Sequence, residues 1–246
     1  MTIVVLAHLE VPSVLHLLTK ERFGVFSAPE LFILISGILV GLIYHARIDR
    51  LGWKKTVGLL LRRAAQLYLI SLGVSAGVYL LRFIPAIDAT VLSTFTEASS
   101  GTVYDLYANP DGSAFSFLLN KLTLRSGPGQ FIIIGLYVVL MAIAPVILWL
   151  LKRRLFWLLA LLSGSAYVIA YNDHTRLLPS QFENAFSLLA WQLLFVAGVS
   201  AGFHWDTIKT RARPLSAWLM GLLAVLVLGF MLFSLNNPWI DVPGNV

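Results

Sequence analysis

Between Leu31 and Ala46 the chain carries no formal charge, and Arg47, Arg50, Lys54 and Lys55 follow at once. No other stretch constrains the fold as much. An uncharged apolar run with a basic end reads as a membrane helix whose basic end faces the cytoplasm. Ser27 is placed to cap the free N–H groups ahead of it, and Pro29 suits a first helical turn, where its missing N–H costs nothing. A helix is therefore expected over about 28–46. Glu30 falls in its first turn, where the positive end of the helix dipole favours a carboxylate. Gly37 and Gly41, four apart, leave room for another helix to approach this backbone closely.

Composition extends that reading to the whole chain. Of 246 residues, 58% are hydrophobic and 12% charged, with mean hydropathy +0.82, far from a soluble domain. The expected fold is all-α, a polytopic transmembrane bundle forming a single membrane domain over 1–246. No cysteine is present, which excludes disulfides, thiolate nucleophiles and cysteine-ligated metals. A net charge of +6 raises the question of nucleic acid, but the positive residues crowd into short loops between apolar spans, as membrane topology requires. Membrane lipids are the expected partners, and nucleic acid is not.

Uncharged stretches place the spans. A partial one covers about 2–18, and six full ones cover about 28–46, 57–82, 130–151, 155–172, 184–203 and 214–235. Met1 to Leu9 is too short to cross about 30 Å of hydrocarbon, which takes roughly 20 helical residues. It also lacks the basic start and small-residue cleavage site of a signal peptide, so the chain reads as beginning inside its first helix. Loops 47–55, 152–154 and 204–213, with Arg62 and Arg63, hold 12 of the 18 Lys and Arg but only Asp49 and Asp206 of the acids. This asymmetry puts the N-terminus inside and the C-terminus outside.

One connection is long. Residues 83–128 are rich in turn-forming Pro, Gly, Asn and Ser, and Phe115 to Leu124 is expected to form a short amphipathic helix at the interface. Two readings stand for this outer loop, a holder of polar substrate or a simple linker. Gly73 with Gly77, and Gly198 with Gly202, repeat the spacing of Gly37 and Gly41 and support a packed bundle.

Ionisable groups at membrane depth are functional candidates by default. His8 is placed either as a general base for a hydroxyl or as a neutral histidine bonded between helices. Glu30 either complements the helix dipole or belongs to a site. Arg62 and Arg63 either snorkel to headgroups or meet an anionic donor on the inner side. Gln130, Tyr137, Asn184, Trp191 and Gln192 add amides, a phenol and an indole to apolar spans, where they bond neighbouring helices or a substrate. Ser163-Gly164-Ser165 reads as a packing site. No His-Glu-x-x-His, P-loop or Gly-x-Ser-x-Gly motif is present, which weighs against zinc protease, nucleotide hydrolase and serine hydrolase chemistry, and no metal site is expected.

At these residues the chain resembles the OpgC family, membrane succinyltransferases of osmoregulated periplasmic glucans within the wider membrane O-acyltransferase superfamily. The resemblance is carried by Phe23-Gly24 through Ala28-Pro29-Glu30-Leu31-Phe32 and Ser36-Gly37, then Arg63-Ala64-Ala65-Gln66-Leu67-Tyr68. It continues through Leu136 to Leu140 with Pro145, Phe182-Glu183-Asn184, and Ala190-Trp191-Gln192 to Gly198. It implies a helical bundle of about ten spans in the bacterial cytoplasmic membrane. The implied reaction passes an acyl group, in this family succinyl, from a cytoplasmic acyl-CoA-type thioester to a hydroxyl of a periplasmic or cell-envelope glycan, with no bound cofactor. His8 matches the family's first-helix histidine and Glu30 its glutamate at the start of the second helix. Arg63, Tyr68, Gln130, Tyr137, Asn184, Trp191 and Gln192 then become substrate-binding candidates. The chain departs from the family pattern at Ala7, where members usually carry Asp, and at Ser71, where a histidine is expected.

Two functions follow. In one, His8 and Glu30 serve an acyltransferase; in the other, a partial or degenerate relative acts as a structural or transport component of the membrane. Topology is testable first, because the chain has no native cysteine. In intact cells an impermeant thiol reagent is expected to label Ser99→Cys and spare Lys54→Cys, and the reverse pattern overturns the orientation.

Overall fold

The computed structural model describes residues 28–96, 101–108, 112–173 and 176–212, with Trp218, Gly221, Leu222, Val225 and Leu226. Two long helices come first, α1 (Ala28–Leu51) and α2 (Trp53–Leu81), separated by Gly52 alone. Gly52 takes φ 80, and its N–H bonds the Ile48 carbonyl at 3.0 Å, so a residue without Cβ ends one helix and starts the next. The outer connection carries a one-turn helix α3 (Thr90–Ser93) and an antiparallel pair, β1 (Thr94–Thr96) and β2 (Val103–Asp105), with Phe95 opposite Tyr104. It closes with α4 (Ala114–Leu122) and a 3-10 turn at Gly129–Phe131. Then follow α5 (Ile132–Lys152), α6 (Phe156–Asp173), the short α7 (Phe182–Ala185), α8 (Leu188–Phe203) and α9 (Trp205–Ala212).

α5 forms the centre. Leu136, Leu140, Ala144 and Leu148, spaced four apart, are fully buried on one face, against Ile33 of α1, Leu60 of α2 and Phe195 of α8. Pro145 sits inside α5 and removes one backbone bond, a loss that membrane helices tolerate when neighbours surround them. Outward faces stay apolar: Leu61, Leu69 and Leu80 on α2 and Trp157, Leu161 and Val168 on α6 are exposed, as lipid contact requires.

The closest approach in the bundle lies between α1 and α8. A Cβ built on Gly37 would stand 2.5 Å from the Phe195 carbonyl oxygen and 3.1 Å from the Gly198 Cα. One on Gly41 would meet the Val199 oxygen, one on Gly198 the Leu34 oxygen, and one on Gly202 the Ile38 oxygen. The glycines are therefore reciprocal: each pair clears space for the other helix's backbone. Rising numbers on α1 match rising numbers on α8, so the two run parallel, as helices entering from the same side must.

The structure corrects several expectations. Among the described residues three helices are long and apolar enough to cross a membrane, Pro29–Leu51, Trp53–Leu81 and Ile132–Lys152. A fourth results if α8 and Trp205–Arg211, bent 73° apart, are taken together. Among the described residues, six full spans are therefore not confirmed. α6 matches the expected 155–172 within a residue, but its serines, tyrosines, Asn172 and Asp173 dilute its apolar character. The helix expected from Asn184 is broken at Phe186 and Ser187 and resumes at Leu188. Spans 2–18 and most of 214–235 lie outside the described residues. Gly73 and Gly77 differ from the other glycine pairs, since among the described residues nothing lies within 4 Å of a Cβ at either.

These contacts separate glycines that look alike in sequence. Gly202→Ala is expected to destabilise the bundle by about 1–3 kcal/mol or more, because the neighbour is backbone and cannot rotate aside. Gly77→Ala is expected to be neutral or to add up to about 1 kcal/mol from helix propensity. Thermal unfolding of the purified variants in detergent, followed by circular dichroism, compares them; equal losses would remove the glycine contact from the account of the fold.

Candidate functional site

Two polar groupings interrupt the apolar bundle. The first is deep. Tyr137, a turn and a half into α5, shares a side-chain hydrogen bond with buried Ser36 of α1, and Arg63 of α2 is near enough to interact with the phenol electrostatically. The rings of Phe32 and Phe195 stand 5.7 Å and 6.4 Å from that of Tyr137. Arg63 lies six residues into the span expected from 57, about 9 Å along the axis at 1.5 Å per residue, and so in the inner half of the apolar layer. Three helices thus supply a hydroxyl, a phenol and a cation to one part of the bundle, with Ser36 buried, Tyr137 half-buried and Arg63 exposed on the surface of α2.

The second grouping is outer, and α4 builds it. Ser113 caps α4 by accepting the Phe115 N–H at 3.3 Å. The helix ends in a turn in which the Arg125 N–H bonds Asn120 O at 2.8 Å and the Leu124 N–H bonds Lys121 O at 3.1 Å. This is the double closure usually built on glycine, yet Leu124 holds φ 55, a conformation costing roughly 1–2 kcal/mol for a residue with a Cβ. Donors from elsewhere hold the turn in place. Tyr68 donates to Leu122 O at 2.8 Å, Ser180 to Thr123 O at 2.8 Å, the Gln181 N–H to Leu124 O at 2.8 Å, and Ser75 to Ser126 O at 3.2 Å. Ser75 is six residues, about 9 Å, below the end of α2. The turn therefore dips beside α2, and its carbonyls are satisfied by protein, as irregular backbone at that level demands.

Beside this turn is a cleft of about 30 Å³, room for about two waters, lined by Ser71, Ser75, Ser126, Gly127, Gln181 and Phe182. Lys121 reaches its edge, donating to Ser75 Oγ at 3.4 Å, with its ammonium 3.5 Å from the centre of the Tyr107 ring. Arg82 forms a two-pronged pair with Asp105 at 2.9 and 3.2 Å. Partial burial works against the Asp105 carboxylate, but the bonds from Arg82 and the Tyr107 N–H outweigh it and hold the carboxyl below its usual range. Burial raises the Tyr107 phenol, which stays a neutral donor to Ser75 O at 3.1 Å.

The residues expected from sequence fall into three groups. Arg63 and Tyr137 meet in the deep cluster. Tyr68, Trp191 and Gln192 are engaged by the protein itself. Tyr68 pins the outer turn, and Trp191 packs edge-on against Phe186 at 4.9 Å. Gln192 is buried between α6 and α8, accepting from Ser163 Oγ at 2.8 Å and donating to Ser163 O at 2.8 Å and Leu189 O at 3.0 Å. Glu30 is half-buried in the first turn of α1, Asn184 is exposed in α7, and Gln130 lies in the 3-10 turn. His8 lies outside the described residues.

Sequence reasoning missed Lys121 and Glu183. Lys121 had a signal, being the one charge in α4. Glu183 is buried, and its carboxylate accepts the Leu188 N–H at 3.1 Å and the Leu178 N–H at 3.3 Å. It thereby satisfies a free donor at the start of α8, where the helix dipole also favours negative charge. Phe182, its neighbour, is buried against Gly135 of α5, so this motif anchors the outer end of α8 to α5.

These features define a helical membrane protein with polar side chains set among its spans. A family model described as OpgC protein matches residues 1–245, and the chain belongs to that family. No curated protein and no solved structure matches. Membership implies a membrane acyltransferase-type role in glucan modification.

Glu183→Ala is expected to lower stability by about 1–3 kcal/mol, because it strands two backbone donors. Glu183→Gln keeps an acceptor and is expected to lose less. Melting temperatures of the two variants, measured side by side in detergent, check the order.

Proposed function

We propose that the protein is a multi-pass O-acyltransferase of the bacterial cytoplasmic membrane. It moves an acyl group, succinyl in the form favoured here, from a cytoplasmic acyl-CoA-type thioester to a hydroxyl of a periplasmic or cell-envelope glycan. The observation that carries this reading is the family match over essentially the whole chain. The grouping of Ser36, Tyr137 and Arg63 on three adjacent helices supports it, since fixed donors near the reacting atoms stabilise developing charge.

In this proposal His8 takes the proton of the sugar hydroxyl as its oxygen adds to the thioester carbonyl. The carbon–sulfur bond then breaks, the ester remains on the glycan, and the proton returns to the departing sulfur. Glu30 positions the histidine or the acceptor. Arg63, in the inner half of the apolar layer, meets the phosphates of the acyl donor. Asn184, exposed in the outer half, lies on the acceptor's side.

Mass spectrometry of envelope glycans from cells with and without the gene tests the reaction, with acylated glycan expected only where the gene is present. His8→Ala is expected to reduce acylation by about 10²–10⁴-fold at equal protein abundance, and Glu30→Gln by roughly 10²-fold or more. Ala7→Asp, restoring the carboxylate usual in the family, is expected to raise activity. Unchanged acylation in His8→Ala sinks the acid–base role and favours the structural reading.

A further inference from the structure

The outer cluster has a charge that the bundle does not need. Lys121 is half-buried, and among the described residues no carboxylate is within ion-pair distance of it. Asp105, the nearest acid described, already has both oxygens bonded by Arg82. Arg82, Asp105 and Lys121 together leave one net positive charge. Rings compensate part of this: the ammonium is 3.5 Å from the centre of Tyr107, 5.3 Å from Phe117 and 5.6 Å from Tyr79. Its one oxygen partner among the described residues, Ser75 Oγ at 3.4 Å, engages one of three N–H donors. That serine also lines the small cleft, with Ser71 and Gln181 supplying further polar groups.

We propose that Lys121 and the cleft beside Ser75 and Ser71 form an anion site opening to the outer side of the membrane. The ligand chemistry is an oxyanion, either a carboxylate such as the free end of a dicarboxylic acyl group or a phosphoryl group on a glycan or lipid. A cation already desolvated by its surroundings gains more from such a partner than a solvated one does, because little further water is lost on binding. The cleft volume fits the oxygens of one such group and no more of the ligand. Site and test stand apart from acyl transfer; only the assignment of the anion to a transferred group rests on the function proposed above.

The site also has a sign in pH. Burial, with the Arg82 charge adding to it and Asp105 opposing, lowers Lys121 from 10.5 to about 8. The charged and titratable groups facing it are Tyr79 of α2, Arg82 just after that helix, Asp105 at the end of β2 and Tyr107 in the turn that follows. The protonated amine binds an anion, so binding is full below pH 8 and falls as pH rises through it. A bound anion favours the charged amine, so binding near pH 8 takes up protons.

The full chain in lipid nanodiscs tests this by equilibrium dialysis with radiolabelled succinate and, separately, inorganic phosphate. Saturable binding of at least one probe is expected at pH 7, weakened about 10–100-fold in Lys121→Gln. Lys121→Arg is expected to keep binding and to lose the fall between pH 7.5 and 9. Calorimetry at pH 8 in two buffers of different ionisation enthalpy is expected to show proton uptake in the parent and none in Lys121→Arg. Preference for succinate marks a carboxylate ligand, and preference for phosphate a phosphoryl one. Absence of saturable binding to either probe overturns the site, as does binding that Lys121→Gln leaves intact in a folded protein. Glycan acylation without anion binding overturns this inference alone; anion binding without acylation overturns the transferase reading alone.

Discussion

The rest of the structure depends on backbone-to-backbone contact between α1 and α8. In lipid there is no hydrophobic gain from bringing two apolar helices together, since acyl chains are as apolar as leucine. What remains is dispersion and close fit. Gly37 and Gly41 remove the side chains from one helix where Gly198 and Gly202 remove them from the other, and carbonyls of each helix occupy the space the other vacates. That contact fixes α1 beside α8, α5 fills the remaining side with its four-residue leucine and alanine row, and Ser36 is thereby turned toward Tyr137. The deep polar cluster is a product of the apolar packing around it.

The outer connection solves a different problem. A chain that leaves regular structure near a membrane must satisfy each exposed carbonyl, and here Tyr68, Ser75, Ser180 and Gln181 do so for consecutive parts of one turn. Two of those donors come from α2 and two from the segment before α8. The turn after α4 therefore ties α2 to the segment that leads into α8, and Lys121 is held where the tie is made.

Much of this was legible along the chain. A helix over the uncharged run after Pro29 was legible, and the amphipathic pattern from Phe115 placed α4 to within a couple of residues. Local physics fixes such features, because caps and periodicity involve neighbours only. Long-range pairing was not legible. Three glycine pairs share one spacing, and only the fold shows that two of them meet each other while Gly73 and Gly77 meet nothing described. Gln192 read as a candidate ligand group until Ser163, 29 residues away, proved to hold it. Lys121 stood out only as the one charge in α4, because the rings around it come from positions 79, 107 and 117, which no pattern in the sequence brings together.

The parallel glycine contact bears on how the protein is made. Gly37 precedes Gly198 by 161 residues. At a synthesis rate of roughly 5–20 residues per second, α1 is in place on the order of ten to thirty seconds before α8 exists. During that interval its glycine face has lipid or the insertion machinery for company, and the enclosed position of Ser36 is not yet formed. The contact between α1 and α8 is therefore completed only when α8 arrives, and a ribosome that stalls before Gly198 leaves α1 in the membrane without the helix that covers its glycine face.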